Sequence, residues 1–352
     1  MAVRARKPTP TRSGDPSMMY SIQILRIIGM LMIVYIHVGV YMTLVNNVGD
    51  SLFHVIPDAY MCKAFIFFSI SGFIMAFLID IGYRNFLVRR ILRVYPTFLI
   101  ACGLAIALRY LLFDQLPGKD MFLAMTLLPV GFVDYPLKIE WTLIYEVCYY
   151  LIITPFAFPK TRRYFVPFLF VWLGVICIAY YASGITAFYV LPPWKRLFVS
   201  YVNIYFITGA LAYHAAKRLR FDWWPAYVLA ILASAAVTVA TSDAWKLEPY
   251  NMKQLATWSL CTAVTLVSLV KLENHFQAPW VKAIGQWGDY AYAVYLTHAL
   301  VVGVFFSWLV YRYGWQLDNR AAFLAVGLIL VVGYGLGRLD AAVHGYFKRK
   351  FA

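Results

Sequence analysis

Long apolar runs, each carrying a few polar residues and separated by short links, set the pattern of this chain. The first, residues 20–42 (YSIQILRIIGMLMIVYIHVGVYM), holds one arginine and one histidine in mainly apolar sequence. About 20 apolar residues carry a helix across a bilayer. Nine further runs follow, at 60–80, 92–112, 139–158, 165–183, 198–216, 224–241, 253–271, 289–311 and 320–338. Strands of a membrane barrel would alternate polar and apolar residues, and these runs do not. The expectation is an all-α integral membrane protein with about ten transmembrane helices, because only helices and closed barrels satisfy the backbone in lipid. The run at 121–133, with Pro117 and Pro129 close by, is too short to cross and reads as re-entrant or interfacial.

Composition strengthens this picture. The chain is 62% hydrophobic and 13% charged, with a mean hydropathy of +0.69, outside the range of a soluble domain. Its formal charge of +15 is gathered in short clusters between apolar runs, a membrane-orientation signal, and nucleic acid is not an expected partner. Cys62, Cys102, Cys148, Cys177 and Cys261 lack C-x-x-C spacing, so structural thiols are expected, with neither a disulfide framework nor a metal site. Residues 1–17 read as a disordered basic tail, 18–340 as the transmembrane domain and 341–352 as a basic cytoplasmic tail. No small-residue cleavage pattern follows the first run, which is read as an uncleaved helix. With alternate links assigned to one side, 20 of the 31 lysines and arginines fall beside the two termini, so the positive-inside rule places both termini in the cytoplasm.

That orientation gives the polar residues depths. Arg26 and His37 are separated by about three helical turns, within roughly 20° of one face and about 16 Å apart along the axis. Buried polar groups at such positions are expected to face protein or a wet cavity, with snorkelling and simple packing as the alternatives. Running span 4 inward places Glu146 at about the depth of His37, roughly 8–10 Å below the outer boundary. A carboxylate there can accept the Nδ1–H bond of an imidazole and leave Nε2 as a base; a structural pair with another helix is the alternative. Glu140 and Asp134 read as outer-loop residues.

At the opposite end, FLVRRILRVYP (86–96) puts Arg89, Arg90 and Arg93 on adjoining helical faces. Guanidiniums so placed suit bidentate phosphate binding, and Arg26 can join them. Contact with anionic lipid together with topology signalling explains the cluster equally well. The stretch FFSISGF (67–73) supplies Ser69, Ser71 and Gly72, small residues that allow close helix packing.

Taken together, R-x10-H in the first run, S-G-F in the second, R-x-x-R before Tyr95 and Pro96, and W-T-L-x-x-E at 141–146 resemble the acyltransferase-3 family. IGQWGDYAYAVYLTH (284–298) is similar to that family's late G-x-x-S-Y-x-x-Y-L-x-H segment. The likeness spans nearly the whole chain. It implies an integral membrane O-acyltransferase with His37 and Glu146 as catalytic residues. It further implies that Arg90 and Arg93 bind acetyl-coenzyme A (or another acyl-coenzyme A), the donor, with Arg26 as the companion of His37. By their position Arg26 and Arg89 are read as donor-binding candidates too, and no metal is expected. Ser71, Trp141, Tyr145, Tyr149, Tyr150 and His298 are the candidates for holding substrate or an oxyanion.

The implied acceptor is a polysaccharide or lipid-linked oligosaccharide at a bacterial inner membrane, with membrane lipids and the polysaccharide synthesis machinery as further partners. Three residues depart from the family pattern: Gln23 stands for an acid, Val147 for a second glutamate and Asp289 for a serine. A transporter or flippase for an anionic or lipid-linked sugar is the rival expectation, although no paired, broken spans mark two matching halves.

Overall fold

In the computed structural model, residues 19–46, 52–55, 65–115, 118–131, 133–183, 194–242, 252–315 and 318–350 are described. Each of the ten apolar runs overlaps helix among the described residues. In chain order the helices are α1 (Tyr20–Asn46), α2 (Phe65–Asp80), α3 (Phe86–Phe113), α4 (Lys119–Ala124), α5 (Glu140–Ile153), α6 (Phe165–Ser183) and α7 (Trp194–Leu197). They continue with α8 (Asn203–Arg218), α9 (Trp224–Ala240), α10 (Met252–Lys271), α11 (Pro279–Gly285), α12 (Ala291–Leu300), α13 (Ser307–Tyr313) and α14 (Asn319–Lys350). Among the described residues, six helical stretches are long and apolar enough to cross a membrane: Tyr20–Thr43, Phe86–Phe113, Arg162–Ala182, Met252–Lys271, Pro279–Tyr313 and Asn319–Tyr346. α2 and α9 are apolar but shorter.

The 121–133 run forms the short α4 and the turns after it, with Met121, Ala124 and Leu127 buried. Residues 1–17 and Cys62 lie outside the described residues, and Cys102, Cys148, Cys177 and Cys261 are free thiols. The 341–350 stretch continues the helix of α14.

Two packed groups of helices share the interior. α2, α5 and α8 form the centre of one, with α3, α6 and α10 around them, and α1, α12 and α14 make the other. Lipid tails are as apolar as leucine, so burial from water does not hold such helices together; close packing does. α2 and α8 cross where Gly72 lies against the backbone of Phe206 and Gly209 against that of Ser69. A Cβ at either glycine would collide with a carbonyl oxygen of the facing helix, so the small residues of the S-G-F stretch set the closest approach. Aromatic rings fill the space beside the crossing, including Phe68 on Phe206 at 4.7 Å and Tyr149 on Phe206 at 4.3 Å.

The segment 279–313 was expected as one span over 289–311, and it is built from pieces. α11 leads through a 3-10 turn (Gln286–Tyr290) into α12, and a π-helical turn (Val301–Phe306) joins α12 to α13. Glu140 differs from its expected place in an outer loop. It is buried, and its carboxylate accepts hydrogen bonds from the amides of Leu137 (2.7 Å) and Ile139 (2.9 Å), beside the start of α5. The Ile139 amide stands at the N-cap, where a helix start leaves N–H groups without intrahelical partners, and the same carboxylate ties down the Leu137 amide in the link before it.

Candidate active site

The face of α1 that carries Ile33, Val34 and Val38 packs against α12 and α14 and brings His37 into the interior. His37 Nδ1 lies 3.0 Å from the carbonyl oxygen of Ile33, one turn back on the same helix. A carbonyl only accepts, so this bond requires the proton on Nδ1 and leaves Nε2 of the neutral ring as an acceptor. The role expected of a carboxylate thus falls to the backbone, since the i−4 carbonyl is the acceptor nearest to a helical side chain.

The His37 ring faces that of His298 with centroids 4.7 Å apart and planes tilted by 38°. His298 sits in the last turn of α12, is 1% exposed, and donates Nδ1–H to the carbonyl of Tyr295. Its Nε2 is buried without a hydrogen-bond partner. Two imidazoles are therefore fixed in the same tautomer, and the π-helical turn begins three residues after the second of them. Such turns are frequent at functional sites.

A hydroxyl-rich layer lies next to the pair along α12. Tyr295 Oη is 2.7 Å from Thr142 Oγ1, and both hydroxyls reach the Ile139 carbonyl, at 3.2 and 3.1 Å. One turn further along α5, Glu146 Oε1 accepts a hydrogen bond from Ser71 Oγ at 3.2 Å and another from Tyr150. Three residues singled out in the sequence thus meet at one carboxylate oxygen. Arg26 and Tyr292 lie within electrostatic reach of Glu146.

The arginines form the far end of this polar interior. Arg26 Nη1 donates to Gln23 Oε1 at 3.1 Å, and Gln23 Nε2 donates to Asp289 Oδ1 at 2.8 Å. Arg93 forms an ion pair with Asp340 of α14, whose second oxygen accepts from Thr97, and its guanidinium lies 5.7 Å from the centre of the Tyr292 ring. Arg26 and Arg93 are near enough to repel each other, and Asp289 attracts both. Arg89 donates to Tyr83 Oη at 3.0 Å and stacks on that ring. Arg90 is half-buried, its Nε has no partner, and it lies within the electrostatic reach of Tyr150. Among the described residues no cluster of His, Cys, Asp and Glu is arranged to hold a metal ion.

A family model described as an acyltransferase domain matches residues 19–338, which takes in both imidazoles and all four arginines. The chain belongs to acyltransferase family 3. Searches of curated proteins and of solved structures find no match. As a member of this family with several apolar helices long enough to cross a bilayer, it is a multi-pass membrane acyltransferase.

Of the acyltransferase's remaining candidates, Trp141 packs among the rings of Phe65, Phe68 and Tyr145. Tyr145 donates to Ser200 Oγ at 2.8 Å, and Tyr149 stacks between Phe206 and Trp172, its buried hydroxyl without a partner. These three line the aromatic core beside α8, while Ser71, Tyr150 and Glu146 gather at one point. Sequence reasoning passed over Asp340, Thr97, Tyr292, Tyr295 and Thr142. A signal existed for Asp340: it is a lone carboxylate two residues beyond the expected end of the last span.

Proposed function

We propose that this acyltransferase moves an acetyl or longer acyl group from cytosolic acyl-coenzyme A to a sugar hydroxyl. The acceptor is a surface or exported polysaccharide, or its lipid-linked precursor, at a bacterial inner membrane. In this reading the chain makes ten crossings with both termini in the cytoplasm. The observation that carries it is the His37–His298 pair, two facing imidazoles with Nδ1 held by the backbone, at the far end of a polar interior that begins at the arginines.

The phosphates of coenzyme A cannot enter hydrocarbon, so they stay at the arginine end. A pantetheine arm of ~15–20 Å spans about the same distance as the helical rise from Arg26 to His37, about 16 Å. His37 Nε2 takes the hydroxyl proton as the sugar oxygen attacks the thioester carbonyl. The C–S bond breaks, and coenzyme A leaves as a thiolate that recovers the proton. An acyl-His37 intermediate uses the same nitrogen as nucleophile, and ping-pong kinetics separate the two routes. Glu146 acts by orienting the hydroxyls of Ser71 and Tyr150 along the path and by balancing the charge of Arg26.

Purified protein in detergent, given labelled acetyl-coenzyme A and the saccharide acceptor, is expected to transfer label to the sugar. Detergent micelles have no compartments, so a protein that only moved sugar across a membrane would leave the acceptor unlabelled, and that result would overturn the reading. Among the arginines, Arg90 carries the most direct expectation. Arg90→Ala should raise KM for acetyl-coenzyme A roughly tenfold or more with little change in kcat, the range for losing one charge-assisted hydrogen bond. An unchanged KM would remove Arg90 from donor binding.

A further inference from the structure

A second basic site lies away from the R-x-x-R stretch. A cavity of about 910 Å³ opens between the end of α2, the start of α6 and the end of α8. Arg162, Arg163, Lys217, Arg218 and Arg220 line it, with His214 and one carboxylate, Asp80. Asp80 is already engaged: it accepts hydrogen bonds from Tyr213 at 2.7 Å and Lys217 at 2.6 Å. Arg163, Arg218 and Arg220 have no carboxylate partner among the described residues.

Part of the wall is held in place. Arg162 Nη1 donates to the Asp80 carbonyl at 3.1 Å, and the guanidinium rests against Gly82, whose φ is +70°. Any Cβ at Gly82 would strike that guanidinium, so the turn after α2 both bends and leaves room for it. The Nε of Arg162 and Nε2 of His214 are buried with no hydrogen-bond partner. Lys217 is paired with Asp80, and the remaining guanidiniums around the hollow, Arg163, Arg218 and Arg220 at its exposed rim, leave an excess of positive charge that attracts an anion. A row of lysines and arginines that only signals topology needs neither a cavity nor a fixed guanidinium. The cavity also exceeds the need of a single phosphate, because pockets of ~300–1,000 Å³ suit whole organic ligands. Apolar side chains, Ile79, Phe165 and Val166 among them, complete the lining.

We infer that this cavity binds a ligand bearing phosphate charge on an organic body, separately from the arginines assigned to the donor. The chemistry is shared by an anionic lipid headgroup entering from the bilayer and by a soluble phosphorylated compound. The experiment separates these sources.

Protein in phosphatidylcholine nanodiscs is titrated with inorganic pyrophosphate, and its thermal unfolding is followed. The same measurement is made in discs containing phosphatidylglycerol, without pyrophosphate. The double variant Arg163→Gln/Arg218→Gln is compared throughout, with Arg90→Ala as the control at the donor end.

Stabilisation by pyrophosphate that needs about tenfold more ligand in the double variant, and that survives in Arg90→Ala, supports a soluble ligand. Stabilisation by phosphatidylglycerol alone, lost in the double variant, supports a headgroup. If neither probe distinguishes wild type from the double variant, the inference is overturned. Should the double variant fail to fold, Arg220→Gln at the exposed rim serves in its place, with the same outcomes.

Discussion

Replacing His37 with alanine is expected to lower acyl transfer by about 10²–10⁴-fold, the range for removing a positioned general base. The protein should still fold and enter the membrane. His37 is only half-buried, and the Ile33 carbonyl it leaves behind retains its place in the backbone ladder of α1. The measurement is label transfer by purified variant and wild type, paired with gel filtration in detergent to confirm that both are folded. Wild-type transfer by the alanine variant would end the assignment of His37 as the base. Loss of transfer with a shifted elution profile would point to packing against His298 as the role of the ring.

Asp340→Ala is expected to be the most damaging single change to stability outside the glycine crossing of α2 and α8. It leaves the Arg93 guanidinium and the Thr97 hydroxyl without their shared partner inside a helix bundle. Breaking a buried ion pair from one side costs about 3–5 kcal/mol, whereas replacing both partners with apolar residues is often close to neutral. Thermal unfolding of the detergent-solubilised protein should therefore show a large drop for Asp340→Ala. The double variant Arg93→Met/Asp340→Leu should recover most of it. A single variant as stable as wild type would show that the α3–α14 pair holds nothing together. If instead the double variant keeps stability but loses its affinity for acetyl-coenzyme A, Arg93 serves the donor through its charge as well as holding α14.

The helices were legible because lipid leaves the backbone few choices: runs of about 20 apolar residues have to be helical. α5 and α8 are shorter and more polar, yet their places were marked by the same runs. The R-x10-H spacing correctly set Arg26 and His37 toward the interior of one helix face. Pairings between helices were not legible, because no spacing rule joins residues hundreds of positions apart. Gln23 and Asp289, 266 positions apart, looked like two separate departures from the family pattern, and they are hydrogen-bonded to each other. The acid missing from α1 is thus supplied by the 3-10 turn before α12. His37 and His298 were each noticed, but only the fold shows that their rings meet. Glu140 was misjudged because it stands at a span boundary, where a capping carboxylate and a solvated one look alike in sequence.

The wide turn at Val301–Phe306 carries one residue more than a regular helix would place in the same rise. Everything beyond it is swung about the axis by roughly 100° relative to an uninterrupted α-helix. Phe306, the last residue of the turn, sits in the second apolar group while His298, on the near side, keeps its ring against α1. Residue count in this stretch therefore matters more than residue identity. One apolar side chain exchanged for another changes a local fit, whereas one position deleted would restore ordinary pitch and rotate the imidazole and the apolar anchor out of register with each other.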